Sequence, residues 1–140
     1  MAASLNSAVI EAARETAPIR DLFGFELVDY DDRSAVFAIP HRPELGHIPG
    51  YFQGTVITAI GEVSAALAAI ASLPEGRMSA TVDQTIKFIG AARGERLIGR
   101  GQVLKPSLSL VACKADIFVE RDGKEHLIAT MLQSNIVLPE

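Results

Sequence analysis

Glu62 is the residue of this sequence with the clearest chemical potential, because it is a single carboxylate inside an apolar stretch. It is the only ionisable side chain between Gly54 and Leu73. Desolvating a charge costs free energy unless a partner compensates, and isolated carboxylates near a helix start are often working groups. We therefore interpret Glu62 as a general base or a nucleophile. The structural alternative is a glutamate satisfied by backbone groups or by the Ser64 hydroxyl at a subunit interface.

Gly54 begins the same apolar stretch and offers a second kind of chemistry. The free N–H groups at the start of a helix, with the helix dipole behind them, suit an oxygen that gains negative charge in a transition state. A residue without a side chain lets a carbonyl oxygen approach these groups closely. A donor of this kind contributes roughly 3–4 kcal/mol in other enzymes.

The spacing of these two residues predicts a site that is shared between subunits. Glu62 follows Gly54 by eight positions, which is about 12 Å along a helix axis. That separation is too large for both groups to act on one carbonyl from a single helix. We therefore expect Glu62 to act together with Gly54 of the partner subunit, across two antiparallel central helices in an obligate dimer.

The hydrophobic pattern predicts the elements that position these residues. An amphipathic helix covers 5–16 and a turn covers 21–24, while a long apolar helix covers 53–72. The apolar face of the first helix is expected to carry Leu5, Val9, Ala12 and Ala13. Strand-like runs cover 25–30, 34–39, 78–89, 96–104, 108–120 and 125–138.

Two strands before the long helix and four after it predict an α+β fold, in which an antiparallel sheet of about six strands curls around one helix. Short connections between the last runs imply a meander, and Asp122-Gly123 is a hairpin signal. We expect one domain over 1–140, with a helix and turn over 1–22 and the core over 23–138. One helix cannot cover such a sheet, so self-association as a dimer or a dimer of dimers is expected.

Composition argues against several classes of function. The 140 residues are 49% hydrophobic and 21% charged, as in globular proteins, and the net charge of −4 disfavours nucleic acid as a partner. A membrane span over 56–73 is disfavoured because Glu62 lies near its centre. The single cysteine, Cys113, excludes an internal disulfide, and its strand-like alternation indicates a buried, inert thiol. Charged residues near the N-terminus disfavour a signal peptide, so a cytoplasmic location is expected.

The chain resembles the hotdog-fold acyl-CoA thioesterases in the motif His47-Ile-Pro-Gly50-Tyr-Phe-Gln53-Gly54-Thr-Val-Ile-Thr-Ala-Ile-Gly61-Glu62. Its pattern is most similar to the phenylacetate-degradation branch of the 4-hydroxybenzoyl-CoA thioesterase superfamily, over 25–137. That family places an Asn or Gln seven residues before the Gly and an acid eight residues after it. Gly54 and Glu62 match the pattern, whereas His47 replaces the amide. Gln53 and Thr55 replace the His and second Gly of the family's common His-Gly-Gly.

The resemblance implies hydrolysis of a medium-chain or aromatic acyl-CoA, with coenzyme A as part of the substrate and no separate cofactor. Glu62 would be the base or nucleophile and Gly54 the carbonyl-binding residue. His47 would hydrogen-bond water or the thioester, or be an exposed loop histidine, and Gln53 would contact the carbonyl or cap the helix. No metal site is expected, since His41, Glu44 and His47 match no known ligand set, and His41 is expected at the surface.

Further residues are candidates for contacts with the acyl group and with coenzyme A. Tyr51, Phe52 and Phe88 are candidates for the wall of an acyl pocket, as is Thr55 at the helix start, although alternation with Ile86 favours core packing for Phe88. Four cations are close enough in sequence to form a phosphate-binding cluster, or else a solvated strand edge: Arg93, Arg96, Arg100 and Lys105.

Two other functions compete with hydrolysis. A non-catalytic acyl-CoA-binding protein of the same fold is favoured by His47 at the amide position and disfavoured by Glu62. A hydratase or dehydratase of this fold would use a histidine together with an acid, and Gln53 at the motif histidine position argues against it.

Overall fold

The computed structural model describes residues 6–140 as three α-helices and one sheet. The helices are α1 (Ser7–Thr16), α2 (Pro18–Phe23) and α3 (Gly54–Ala71). The strands are β1 (Glu26–Tyr30), β2 (Ser34–Pro40), β3 (Ser79–Phe88), β4 (Arg96–Lys105), β5 (Leu110–Arg121) and β6 (Lys124–Val137). A short 3-10 turn, Pro43–Leu45, lies in the loop before α3. The central helix and all six strands were predicted to within two residues.

The six strands form one antiparallel sheet in the order β1-β2-β4-β5-β6-β3. The meander is confirmed for β4, β5 and β6, and the turn between β5 and β6 has positive φ at Asp122 (54°) and Gly123 (75°), as tight hairpins require. It is wrong for β3, which pairs with β6 at the sheet edge. Residues 89–95 cross the ends of the intervening strands, because the N–H groups of Ile89 and Glu95 donate to Ile128 on β6 and Glu120 on β5.

Helix α3 lies against one face of the sheet with its backbone almost touching β4. A Cβ atom at Gly101 would lie 2.1 Å from the carbonyl oxygen of Ser64, so this position admits no side chain without displacing the helix. Alternate residues of β5 point into the core beneath the helix, including Val111, Cys113 and Ile117. The burial of Cys113, which is 1% exposed, confirms the sequence prediction.

The N-terminal region differs from its prediction. Pro18 occupies the first turn of a second helix, where a missing N–H costs nothing, so the turn predicted over 21–24 is instead the end of α2, closed by Gly24. The predicted buried face of α1 is also wrong. Ile10 and Asn6 are fully buried, whereas Ala12 and Ala13 are exposed, and Leu5 lies outside the described residues.

Helix α3 is long and apolar enough to cross a membrane by length and composition, but half of that segment is buried inside the fold. Its hydropathy is that of a core helix. The remaining face of the helix, which includes Thr55, Ala59, Glu62 and Val63, is exposed or half-buried and forms its uncovered side.

Candidate functional site

Glu62 is half-buried on the uncovered side of α3, beside strand β3. Its Oε1 accepts a hydrogen bond of 2.8 Å from the hydroxyl of Thr81, and its backbone carbonyl accepts one from Gln133 Nε2 at 3.3 Å. Ser64 is not a partner of the carboxylate, because its hydroxyl donates to the Ile60 carbonyl of the preceding turn at 2.6 Å. The predicted Ser64 alternative is therefore wrong, and β3 supplies the donor instead.

The hydroxyl of Thr81 is held by two buried amides. Gln133 Nε2 and Asn135 Nδ2 both donate to Thr81 Oγ1 at 3.2 Å, and these two side chains are 2% and 0% exposed. A hydroxyl carries one proton and two lone pairs. Because both amides occupy its acceptor sites, its proton is directed to Glu62. The carboxylate thus has one oxygen fixed by a donor that cannot turn away.

Sequence reasoning missed these three polar residues. A signal was present on β6, where Met131, Gln133 and Asn135 follow at the spacing of two that places them on one face of a strand. Two amides in an otherwise apolar inward row must find partners. What the sequence did not reveal is that β3 is adjacent to β6, which brings Thr81 opposite Asn135.

An open groove of about 510 Å³, here called the Glu62 groove, runs along the uncovered side of α3. Its walls include Phe23, Thr55, Thr58, Ala59, Val63 and Gln84. The groove is mixed in character, with the carboxylate and hydroxyl groups on α3 facing the aromatic ring from α2. A ligand with a polar reacting group and an apolar substituent fits this combination.

The start of α3 presents backbone donors near one end of the groove. The N–H groups of Val56 and Ile57 already donate to the carbonyl of Gln53, which leaves those of Gly54 and Thr55 as the first donors of the helix without an intrahelical acceptor. Phe88 is 48% exposed and its ring lies beside Gly54, 3.6 Å from where a Cβ would be. Core packing, the alternative favoured for Phe88, is therefore wrong.

His47 and Gln53 pair with each other next to this helix start. The Nδ1 atom of His47 is hydrogen-bonded to Oε1 of Gln53, and both side chains are exposed. Gln53 is the N-cap residue but its side chain makes no capping bond, so the capping alternative is wrong. The two residues, together with Thr55, line a shallow depression of the same surface.

The aromatic residues of the approach loop have separate positions. Phe52 is buried, and the ring of His41 meets it edge-on with centroids 4.9 Å apart. His41, which was expected at the surface, is half-buried, and its Nε2 lies 3.1 Å from the Tyr51 carbonyl oxygen, so it contacts the approach loop. Tyr51 itself forms an isolated bridge with Arg93. Neither Tyr51 nor Phe52 lines the Glu62 groove in this chain.

The four cations do not form one cluster. Arg96 pairs with Glu120 at 3.4 Å, and Arg100 makes two hydrogen bonds to the Glu125 carboxylate at 2.9 and 3.0 Å on the outer face of the sheet. Lys105 lies nine residues beyond Arg96 on the same strand, about 30 Å away. Arg93 alone lies beside the loop that leads into α3, with its Cγ 3.9 Å from where a Cβ of Gly50 would be.

Within residues 6–140, no group of three His, Cys, Asp or Glu side chains is arranged to hold a metal ion. Cys113 is poorly suited to act as a nucleophile, because burial raises the pKa of its thiol to about 12 and the reactive form is the thiolate. Glu62 is thus the side chain of the groove that can act as a base or a nucleophile.

No family model and no curated protein matches this sequence. Solved structures do match it. A thioesterase family protein from Silicibacter pomeroyi superposes with a TM-score of 0.88 at 23% identity, over 94% of this chain and 96% of that one. A thioesterase from Haemophilus influenzae gives a TM-score of 0.79 at 17% identity, over 93% and 87%. A phenylacetic acid degradation-related protein from Ralstonia eutropha gives 0.77 at 18% identity, over 93% and 97%.

This chain has the hotdog fold. The six-stranded antiparallel sheet around α3, with helices preceding it, is the architecture that the sequence resemblance implied, and it is shared with these proteins over nearly the whole chain.

Proposed function

We propose that this protein is an acyl-CoA thioesterase that hydrolyses medium-chain or aromatic thioesters. The observation that carries the proposal is the position and hydrogen bonding of the Glu62 carboxylate. Its carboxylate faces an open groove, and Thr81 fixes one of its oxygens with a donor that two buried amides hold in place. A carboxylate with one oxygen fixed and the other facing a substrate-sized groove is suited to a general base or a nucleophile. The thioesterases of the same fold support this activity.

The proposed reaction needs water, the carboxylate and a polarised carbonyl. As a base, Glu62 takes a proton from water while the oxygen of that water bonds to the thioester carbon. Backbone N–H groups at Gly54 and Thr55 stabilise the resulting oxyanion. The carbon–sulfur bond then breaks, and the thiolate of coenzyme A takes up the proton to leave as a thiol. As a nucleophile, Glu62 would bond to the thioester carbon and expel coenzyme A as a thiolate, and water would then hydrolyse the resulting anhydride to release the acid and restore the carboxylate. No cofactor enters either route.

We further propose that the site is shared by two subunits of a dimer. Glu62 and Gly54 of one chain are separated by about two turns of α3, or about 12 Å, and the uncovered side of α3 with its groove is open to a second copy. Strand β3 supports the same arrangement, because it is an edge strand of ten residues whose outer edge pairs with no other strand of the described sheet, and its Val82 is 53% exposed. Long exposed edges pair with another strand or are covered. Two β3 strands pairing edge to edge would bring the two α3 helices together, and a dimer of dimers would use the outer faces.

Coenzyme A would lie along the rim of this shared site. Arg93 is our candidate for a phosphate contact, because it is exposed beside the loop that precedes the helix start. His47 and Gln53 would contact the thioester or the attacking water from the same side, and Phe88 would pack against the substrate near Gly54. We also propose a cytoplasmic location, where acyl-CoA substrates are found.

The test is release of free thiol from a panel of acyl-CoAs by purified protein. Glu62→Gln keeps the shape of the side chain and the bond from Thr81 but removes the base. We expect this variant to bind substrate and to lose turnover by at least 100-fold, roughly 3 kcal/mol of activation free energy. Glu75→Gln, in the exposed turn after α3, is the matched control and should keep wild-type turnover.

The second candidate is a non-catalytic protein that binds acyl-CoA. It is favoured by the pairing of His47 with Gln53, which occupies the amide oxygen of Gln53 at the approach to the helix start. Binding without thiol release across short, long and aromatic acyl groups would establish this function and reject hydrolysis. A gain of activity in His47→Asn would show that the imidazole is what limits catalysis.

A further inference from the structure

We propose that the hydrocarbon tail of the acyl group lies in a cleft beneath the N-terminal helices, and that the preferred substrates are unbranched aliphatic acyl-CoAs of medium length. This inference rests on the proposed thioesterase function and specifies its substrate. The cleft, here called the N-terminal cleft, lies between α1 and α2 on one side and α3 with β1 and β2 on the other. Its lining includes Ile10, Ala13, Leu27, Phe37, Val63 and Leu67.

The N-terminal cleft adjoins the Glu62 groove. Ile19, Phe25 and Val63 line both, so the two spaces meet at a common wall. Thr55, Ala59, Val63 and Leu67 follow one another at intervals of four along α3, and residues at this interval form one ridge of a helix. A chain that leaves the carboxylate at Glu62 along this ridge passes Val63 and enters the cleft at Leu67.

Polar contacts around the N-terminal cleft hold α1 and α2 in place over it, and no side chain fills the cleft itself. At one end, Asn6 Nδ2 donates to the Arg77 carbonyl at 2.6 Å and its Oδ1 accepts from the Gly76 N–H at 2.9 Å. Further along α1, the Tyr30 hydroxyl donates to Glu11 at 2.7 Å. At the other end, Arg20 of α2 donates to the carbonyl of Arg14. These contacts hold α1 and α2 over the sheet without side chains occupying the space of about 90 Å³ beneath them.

The lining selects for hydrocarbon. Apolar side chains dominate it, and the guanidinium groups at its rim already have acidic partners, Arg14 with Glu11 at 3.3 Å and Arg20 with Asp21 at 3.4 Å. Because Nε of Arg14 has no partner, an acyl chain with a terminal carboxylate is the one competitor that must be tested. A hydroxyl group in the tail would be desolvated in the cleft without gaining a hydrogen-bond partner, which costs free energy.

The distance along α3 sets the expected length. Leu67 lies five residues beyond Glu62, about 7.5 Å along the axis, and an extended chain advances roughly 1.3 Å per carbon. About six carbons therefore reach Leu67, and the space beneath α1 takes a few more. Each buried methylene should raise kcat/KM about fourfold until the cleft is full. We expect the increase to continue to about eight to ten carbons.

The experiment compares two substitutions at neighbouring positions of α1. Ala13→Phe places a ring in the cleft, whereas Ala12→Phe places the same ring on the exposed side of the helix, where Ala12 does not line the cleft. We measure kcat/KM on acyl-CoAs from acetyl to dodecanoyl, with a benzoyl and an ω-carboxyl substrate included. Thermal unfolding of each variant shows that it is folded.

In Ala13→Phe the ratio of kcat/KM for decanoyl-CoA to that for butyryl-CoA should fall roughly 60-fold, equivalent to three lost methylenes. Ala12→Phe should keep the wild-type ratio. An unchanged ratio in Ala13→Phe, or a wild-type preference for the benzoyl or ω-carboxyl substrate, would overturn the inference while leaving thioesterase activity in place.

A binding measurement separates this inference from the proposed function. In a Glu62→Gln background, calorimetric titration with butyryl-CoA and decanoyl-CoA reports the tail contribution without turnover. Tighter binding of decanoyl-CoA that Ala13→Phe removes would support the cleft even if no variant released thiol. Equal affinity for both ligands would refute it.

Discussion

Removing the hydroxyl of Thr81 should damage catalysis and stability together. Thr81→Val keeps the shape of the side chain but deletes an oxygen that takes part in three hydrogen bonds, one to Glu62 at 2.8 Å and one each from Gln133 and Asn135 at 3.2 Å. A hydrogen bond to a charged group contributes about 1.5–3 kcal/mol, and a buried donor left without a partner costs about 1–3 kcal/mol. Gln133 keeps other acceptors at Glu62 and Asn135, so the stability loss falls mainly on Asn135.

We therefore expect Thr81→Val to lower the free energy of unfolding by about 2–4 kcal/mol and kcat by roughly 10- to 100-fold. The loss should be in kcat more than in KM, because the hydroxyl positions Glu62 and does not need to touch the substrate. Urea unfolding at one fixed protein concentration and steady-state thiol release provide the two measurements.

Two comparisons make this prediction refutable. Thr81→Ser retains the hydroxyl and should recover most of the lost kcat. Thr85→Val, at an exposed position of the same strand, controls for the change of residue type on β3. Wild-type kcat in Thr81→Val, or a Thr81→Ser variant as impaired as the valine variant, would contradict the role assigned to the hydroxyl.

The remaining predictions concern three glycine and cysteine positions. Gly54→Ala should fold normally, because the added Cβ meets only the Phe88 ring at 3.6 Å, while kcat falls as the methyl group obstructs the carbonyl oxygen; a poorly folded variant in circular dichroism would count against this. Gly101→Ala should fold poorly, since its Cβ would lie 2.1 Å from the Ser64 carbonyl oxygen, and a soluble variant with wild-type melting temperature would show the contact to be unimportant. Native Cys113 should resist thiol reagents at pH 8 and react in urea, because burial raises the pKa of its thiol from 9.0 to about 12. Because the pKa is raised, the contribution of this thiol to the stability of the folded state is fully present below pH 9 and declines as the pH rises above it. Rapid labelling of the native protein would refute the burial of Cys113.

The fold was predictable because the hydrophobic pattern and the turn residues agreed along most of the chain. Each strand alternates or is bounded by a turn, and α3 has no ionisable side chain except Glu62. The position of β3 was not predictable from connection length, because residues 89–95 run along the strand ends and a short segment can cross them.

The site was predictable in part for a related reason. Glu62 and Gly54 are marked by their contrast with the residues around them, and that contrast exists in the sequence. Thr81 is marked by nothing local, since its importance arises from pairing between β3 and β6. The prediction of a cationic cluster was wrong because residues that are close in sequence on one strand are spread along its length and do not form a patch. The helix α2 was missed because Pro18 ends one helix and begins another with equal ease.

Subunit complementation tests the proposed shared site most directly. Glu62→Gln and Gly54→Ala protomers are each impaired as homodimers, and the two are unfolded together and refolded as a mixture. A mixed dimer has one site that combines the intact Glu62 of one chain with the intact Gly54 of the other. About half of the dimers should be mixed, with one active site in two, so we expect about a quarter of wild-type activity to return. A mixture no more active than its components would show that each site is built within one chain, and would contradict the account.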